Sequence, residues 1–311
     1  MKRQTMESDW MEQKKYTSVI RMGHRLTMDV FKEGDNIVVT EKIDSANASF
    51  TLDEKGELKA YSRNTELGEG NTLNGFLQWV QENIDPAILV PDLIYFGEWT
   101  GNPHKVRYEG HEKQFFLFDV YSKKLGRYLP FSVARAEANY IGLTLVPVFY
   151  EGEYKGYEHL ESLVGKTALG GKLGDIETGE GIVVKNYDHF NHEGKQVFVK
   201  MVTDAFREVK NQKPPRNPAE IGVEGIFIRN TVTPVRVEKI FLKMLDEGVL
   251  NHDVAIEDMG KILKAVTPAV IADVLKEERY SLPEEYSDKA LNKSAGKVVP
   301  QIIKDILKER A

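Results

Sequence analysis

Residues 40–50 read TEKIDSANASF, and the lysine at position 42 stands where two strand-like runs meet. Upstream, Asn36 to Val39 (NIVV) is an apolar run of strand type. Downstream, Ala46 to Leu52 (ANASFTL) alternates small or apolar residues with polar ones, as a half-buried strand does. Residues two apart on a strand share a face, so Lys42 and Asp44 are expected together where the first strand runs out. A K-x-D triplet arises by chance about once in a chain this long, and a solvated hairpin tip is its ordinary meaning. The rest of the chain has to decide between that meaning and a chemical one.

The chain has 311 residues, 41% hydrophobic and 29% charged, which is the balance of a globular protein with room for one large or two ordinary domains. With no cysteine there is no disulfide, no thiolate chemistry and no cysteine-bound zinc. The seven histidines are scattered, without H-E-x-x-H spacing. No apolar run approaches the roughly 20 residues of a membrane span. The opening MKRQTMESDWMEQKK lacks the apolar core of a signal peptide, so a cytoplasmic protein is expected. A net charge of -6 argues against a chain coated in nucleic acid, although only a binding face must be positive. Residues 195–216 hold six Lys or Arg against two acids, which fits a solvated helix and linker equally well.

Eight strands are expected: 36–41, 46–52, 58–62, 93–98, 114–121, 143–150, 181–186 and 197–202. Helical patterns lie between them, one opening at Asn71 or Thr72 and one from Pro130 to Gly142. The mixture predicts an α+β fold with antiparallel sheets. At Lys210 to Gly222 (KNQKPPRNPAEIG) three prolines mark a linker, and beyond it the strand pattern gives way to helices. Helix starts are expected at Thr233-Pro234 and again at Thr267-Pro268, with a last helix over VPQIIKDILKER. The predicted division is residues 1–222 and a helical domain over 223–311.

Polar residues inside the apolar runs recur where strands meet loops, the usual address of binding residues on a rigid scaffold. They are Lys42, Asp44 and Asn47; Arg63 in AYSRN; Glu98 in YFGEWTG; Phe118 and Asp119 in FFLFDVY; Glu180 and Lys185 in GEGIVVKNY; and Lys200 in VFVKMV. In this order they resemble motifs I, Ia, III, IIIa, IV and V of the covalent nucleotidyltransferases. Within that superfamily the chain is most similar to ATP-dependent RNA ligases of the T4 RNA ligase 2 type, over roughly residues 15–210.

The resemblance implies an adenylyltransferase domain in which Lys42 attacks the α-phosphate of ATP, expels pyrophosphate and carries AMP on its side-chain nitrogen. The AMP then passes to an RNA 5′-phosphate, and a 3′-hydroxyl displaces it to seal the strand. Such chemistry needs a lysine that has lost its proton, whereas the ordinary pKa is about 10.4. Nearby cations, Mg²⁺ or Mn²⁺ among them, lower it.

By the same resemblance Glu98 holds the ribose, Phe118 stacks on adenine, Glu41 contacts the base and Arg63 the ribose or phosphates. Asn47 faces the departing pyrophosphate. Glu180 binds the metal, and Lys185 and Lys200 neutralise the charge that builds on the α-phosphate. Glu180 and Lys185 are five apart, so Glu180 must lie at the strand mouth, where Gly179 and Gly181 let the backbone bend.

The sequence departs from the family pattern twice. Ser45 stands where a glycine is usual. Motif V ordinarily reads K-x-K, but here Lys200 is followed at the second position by Val202; alternatively Lys200 is the second lysine and Phe198 replaces the first.

The function implied is RNA end joining in RNA repair by a monomer acting on RNA with 3′-hydroxyl and 5′-phosphate ends, nicked duplex included, without a membrane partner. The helical domain would help hold the RNA, with Arg229, Arg236, Lys239, Lys243, Lys261 and Lys264 as candidate phosphate contacts. ATP-dependent DNA ligases and capping-type nucleotidyltransferases are the alternatives. Both normally continue into an OB-fold barrel, for which the residues after Gly222 show no strand pattern. A nucleic-acid-binding homologue with weakened catalysis is a third.

Overall fold

A computed structural model describes residues 15–102, 104–208, 222–282 and 284–310. The proline-rich segment, apart from Gly222, falls on 209–221, outside the described residues, as does all but the last residue of the opening fifteen. The chain forms two compact units, Met1–Thr203 and Asp204–Ala311.

The first unit runs β1 (Ile20–Arg21), β2 (Asn36–Lys42), β3 (Ala46–Leu52), β4 (Leu58–Ser62), α1 (Phe76–Asn83), β5 (Leu93–Trp99), β6 (Phe115–Ser122), β7 (Arg127–Tyr128), α2 (Phe131–Ile141), β8 (Thr144–Leu145) and β9 (Val148–Glu153). It continues through α3 (Tyr157–Glu161), β10 (Lys172–Leu173), β11 (Ile176–Glu177), β12 (Gly181–Phe190) and β13 (Gln196–Val202). One large sheet has the order β1-β13-β12-β2-β9 and a second β4-β3-β5-β6-β7, with β8 added beside β6, while β10 and β11 form a separate two-stranded sheet. Strand pairs are antiparallel except β1 with β13 and β6 with β8.

The segment around Lys42 is therefore not a hairpin. β2 and β3 lie in different sheets, and residues 43–45 carry the chain from one to the other. Alternation sorts the first sheet's side chains by face. Ile37, Val39, Ile182, Val184, Val197, Val199 and Met201 pack with Val30, Leu160 and Leu163 into one apolar cluster. On the opposite face, cross-strand partners align in rows: Lys42, Gly181 and Val202; Thr40, Val183 and Lys200; Val38, Lys185 and Phe198. The strand pattern thus devotes one face of the sheet to the core and sets the lysines on the other.

Three helix starts differ from the sequence expectation, one in this unit and two in the next. The helix expected from Asn71 or Thr72 begins at Phe76, because Leu73 and Asn74 take left-handed backbone angles (φ 50° and 49°). Buried Leu73 and the Asn74 bond to the Gly101 carbonyl hold that turn in place.

The described part of the second unit is helical: α4 (Gly222–Thr231), α5 (Pro234–Asp246), α6 (Met259–Glu278) and α7 (Asp288–Arg310), with short 3-10 turns. Thr233 caps α5 as expected, its hydroxyl accepting from the Arg236 N–H. Pro268 and Pro300, expected near helix starts, lie inside α6 and α7. The apolar stripe of Ile262, Val266, Val270, Ile271 and Val274 runs through the first proline, and that of Leu291, Ala295, Val299 and Ile303 through the second. Burial of a continuous stripe outweighs one missing hydrogen bond. No described helix is long and apolar enough to cross a membrane.

Arg236, one of the candidate phosphate contacts, is fully buried. Its guanidinium meets Asp273 at 3.1 Å, Glu277 at 3.3 Å, Glu278 at 3.5 Å and Glu208 at 3.6 Å. Lys239, another candidate, is 2.6 Å from Glu208. Both are ion-pair partners inside the helical unit, and α5 turns Arg236 inward because its N-terminal turn packs on the acidic end of α6.

Candidate active site

Lys42 ends β2 with its side chain half-buried, and its Nζ donates to Glu180 Oε2 at 2.6 Å. Glu180 precedes β12 and escapes the alternation that would send it into the apolar cluster. The bend is set at Gly181, where a Cβ would lie 2.1 Å from the Met201 carbonyl oxygen, so only glycine lets β12 and β13 meet there.

Glu98, near the end of β5, faces the same place from the second sheet. Asn47 is its direct cross-strand partner, and Ser45 Oγ lies 3.4 Å from its carboxylate. Burial pushes the Glu98 carboxyl up to about 8; the charges of Lys42, His104 and Arg63 oppose that rise and Glu180 adds to it. One electrostatic neighbourhood thus joins Lys42, Glu98, Glu180, Arg63 and His104, drawn from both sheets. The Glu180 carboxylate, a hard oxygen donor that is still 11% exposed, suits a divalent cation of the Mg²⁺ type.

Lys200 is buried, one row from Lys42 on the same face. Val202 shares the row of Lys42 and is half-exposed, whereas Phe198 is wholly buried against Tyr128 and Tyr187.

Lys185 lies deeper than its neighbours. Its Nζ donates to Asp119 Oδ2 and to the Phe118 carbonyl, each at 2.8 Å, and sits 5.1 Å from the centre of the Phe118 ring. Burial lowers the pKa of this amine, with Asp119 opposing. Asp119 also accepts from the hydroxyls of Tyr187, at 2.5 Å, and Tyr16. Burial first and Asp119 second raise both tyrosines far above their ordinary range, so they remain donors.

Tyr16 stands edge-on to Phe118 with ring centroids 4.8 Å apart, and its carbonyl accepts from Arg63 Nη2 at 3.4 Å. A lone tyrosine before the first strand carries no sequence signal for that role. Nor does His104, whose Nδ1 is 3.4 Å from Asp44 Oδ1.

The two acids on either side of the lysine each bond to a loop. Glu41 accepts from Thr167 Oγ1 at 2.7 Å and from the Ala168 N–H at 2.8 Å; burial raises its carboxyl above the usual range despite those bonds. Asp44 accepts from the N–H groups of Lys105 and Val106 at 2.8 and 3.0 Å. Burial would raise Asp44, but the His104 contact, the Val106 N–H and the charge of Lys42 hold it below the usual range. Lys42 and Asp44, expected together, remain electrostatic neighbours although β2 has ended and residues 43–45 cross between sheets.

No curated protein matches the chain. An archaeal ATP-dependent RNA ligase structure is similar at 16% identity and a TM-score of 0.48, covering 96% of this chain and 65% of that one. A Naegleria gruberi RNA ligase mutant with ATP and Mn is similar at 16% identity and a TM-score of 0.40, covering 62% of this chain and 58% of that one. The same enzyme with pyrophosphate gives 18% identity and a TM-score of 0.40, with coverage of 65% and 62%. The chain thus spans less than two thirds of the length of each of these proteins. A family model described as RNA ligase matches residues 35–202, more than half of the chain, a span that runs from the foot of β2 to the end of β13. The chain belongs to the RNA ligase family.

Proposed function

We propose that the protein is an ATP-dependent RNA ligase, of the T4 RNA ligase 2 type, that joins 3′-hydroxyl and 5′-phosphate ends in RNA repair by way of an AMP adduct on Lys42. The observation that carries this reading is the 2.6 Å contact of Lys42 with Glu180 at the mouth where both sheets converge, with Glu98 and Arg63 in the same electrostatic neighbourhood.

The Lys42 amine, once it has given up a proton, attacks the α-phosphorus of ATP. The N–P bond forms, the P–O bond to pyrophosphate breaks, and a second proton leaves the nitrogen. An oxygen of the RNA 5′-phosphate then attacks the same phosphorus and releases the lysine. Finally the 3′-hydroxyl attacks the activated 5′-phosphate, loses its proton and expels AMP.

Glu180 would hold a divalent cation, which when bound neutralises phosphate charge beside the nucleophile. Lys200, buried on the lysine face, would stabilise the negative charge building on the α-phosphate. Glu98 and Asn47 would receive the ribose and the departing pyrophosphate at the second sheet. Phe118 would support the adenine, and Lys185, bonded to the Phe118 carbonyl and to Asp119, would set the position of that shelf. Glu41 is engaged through its carboxylate with Thr167 and Ala168, so any contact with the base falls to its main chain.

DNA ligase and capping activities are disfavoured by the helices that make up the described residues after 221. Incubation with ATP labelled at the α-phosphate and Mg²⁺, followed by denaturation, is expected to leave label on the protein. A nicked RNA duplex is then expected to discharge it. Protein that stays unlabelled contradicts the proposal and favours a binding homologue.

A further inference from the structure

Glu41 and Asp44 each fasten a loop beside Lys42. Asp44 holds residues 105 and 106 by their N–H groups, and the Asp44 N–H donates to Tyr108 Oη at 2.9 Å. Glu41 holds Thr167 and Ala168. The two loops are also clasped to each other, since the N–H of Arg107 meets the carbonyl of Lys172 and the reverse, both at 2.9 Å. Gly171 allows the close approach: a Cβ there would lie 2.7 Å from Val106 and 2.9 Å from Tyr108. The result is a collar tied to the residues on both sides of the nucleophile.

Val106 and Tyr108 point into the protein, which turns Arg107 outward between them. Lys166, next to the residue that Glu41 grips, is exposed as well. Lys172 spends its charge on Glu109 at 3.0 Å, but among the described residues neither Arg107 nor Lys166 has an ion-pair or side-chain hydrogen-bond partner. Two unpaired cations on a braced backbone lose little freedom on binding an anion. The loops that carry them are tied to Asp44 and Glu41, on either side of the lysine in sequence, and both cations are exposed.

We propose that this collar binds the sugar–phosphate backbone of the RNA strand brought to Lys42, with Arg107 and Lys166 each taking a phosphate. The proposal rests on the RNA ligase reading and places an RNA-binding surface in the first unit.

Arg107→Gln and Lys166→Gln test it, singly and together, with Lys55→Gln as an exposed control on the β3–β4 turn. Binding of a nicked RNA duplex carrying a 5′-phosphate is measured without ATP across a salt series. Each collar variant is expected to make the slope of log affinity against log salt shallower by about 0.7 to 0.9, and the double variant to bind roughly 10-fold more weakly at low salt. Lys55→Gln is expected to match the parent. Label transfer from ATP to the protein should keep its rate and its KM for ATP, while transfer onward to RNA slows.

Unchanged salt slopes overturn the proposal, and so does a slope change equalled by Lys55→Gln. A raised KM for ATP with unaltered RNA binding overturns it too, by assigning the two cations to the triphosphate. Because RNA binding is measured without ATP, a parent protein that forms no adduct counts against the ligase reading alone.

Discussion

Lys42 Nζ and Glu180 Oε2 lie 2.6 Å apart, the ammonium of one against the carboxylate of the other. An ammonium has no lone pair with which to attack phosphorus, so the contact describes a resting state that substrate must part. A carboxylate drawn to a divalent cation arriving with ATP is suited to that exchange. Glu180→Gln keeps the shape, donates no charge to the cation and is expected to slow adduct formation by about 10²- to 10³-fold, on the scale of losing one group that stabilises a developing charge. Single-turnover labelling at saturating ATP checks it; a rate within a few-fold of the parent would remove Glu180 from the chemistry.

Glu98 predicts a pH dependence of stability. Its folded pKa of about 8 lies above the unfolded value near 4.5, so the folded state holds a proton more tightly. Stability from this group is greatest at or below the unfolded value, declines as pH rises from about 4.5 to 8, and then levels. Glu98→Gln removes the titration. Thermal melts of both proteins at pH 5, 7, 9 and 10 are expected to show the variant gaining on the parent from 5 to 9 and little further change to 10; parallel melting curves would contradict the burial of this carboxyl.

The row shared by Lys42, Gly181 and Val202 fixes the consequence of the missing motif V lysine. Val202 is half-exposed, so Val202→Lys can send its amine outward and the protein should fold with its melting temperature nearly unchanged. A second cation beside Lys200 should raise the adenylylation rate, or at least not lower it. Loss of the fold would place Val202 in the core and make Phe198 the replaced position.

Arg236 stands for the other unit. Removing a buried charge that four carboxylates surround leaves Lys239 as the cation facing Glu208, Glu277 and Asp273, a loss of about 3 to 5 kcal/mol. Arg236→Ala is therefore expected to lower the denaturant midpoint markedly. A variant that keeps its midpoint and loses only RNA affinity would restore Arg236 to the surface.

Much of the first unit was legible because its strands obey a two-residue alternation. The bounds of β3 and β4 match the sequence expectation, and β2 gains only Lys42 itself. The order of the polar residues at strand ends also pointed to Lys42, Glu98 and Glu180 as neighbours. Less legible was anything set by distant partners. Lys185 has the same spacing whether it meets a phosphate or Asp119, and only the second sheet's placement of Asp119 draws it inward. Tyr16 and His104 carry no pattern of their own. Arg236 has the amphipathic spacing of a solvated cation, and its burial follows from the acids of α6 and from Glu208. Pro268 and Pro300 resemble helix starts locally, and packing of the whole stripe overrides them.

The most direct test of the central claim is the site of the AMP. After incubation with labelled ATP and Mg²⁺, the parent should carry a covalent label that acid removes and base does not, as a phosphoramidate behaves. Lys42→Ala, truncated at a half-buried strand end, should fold and carry none. A labelled Lys42→Ala protein would contradict the account.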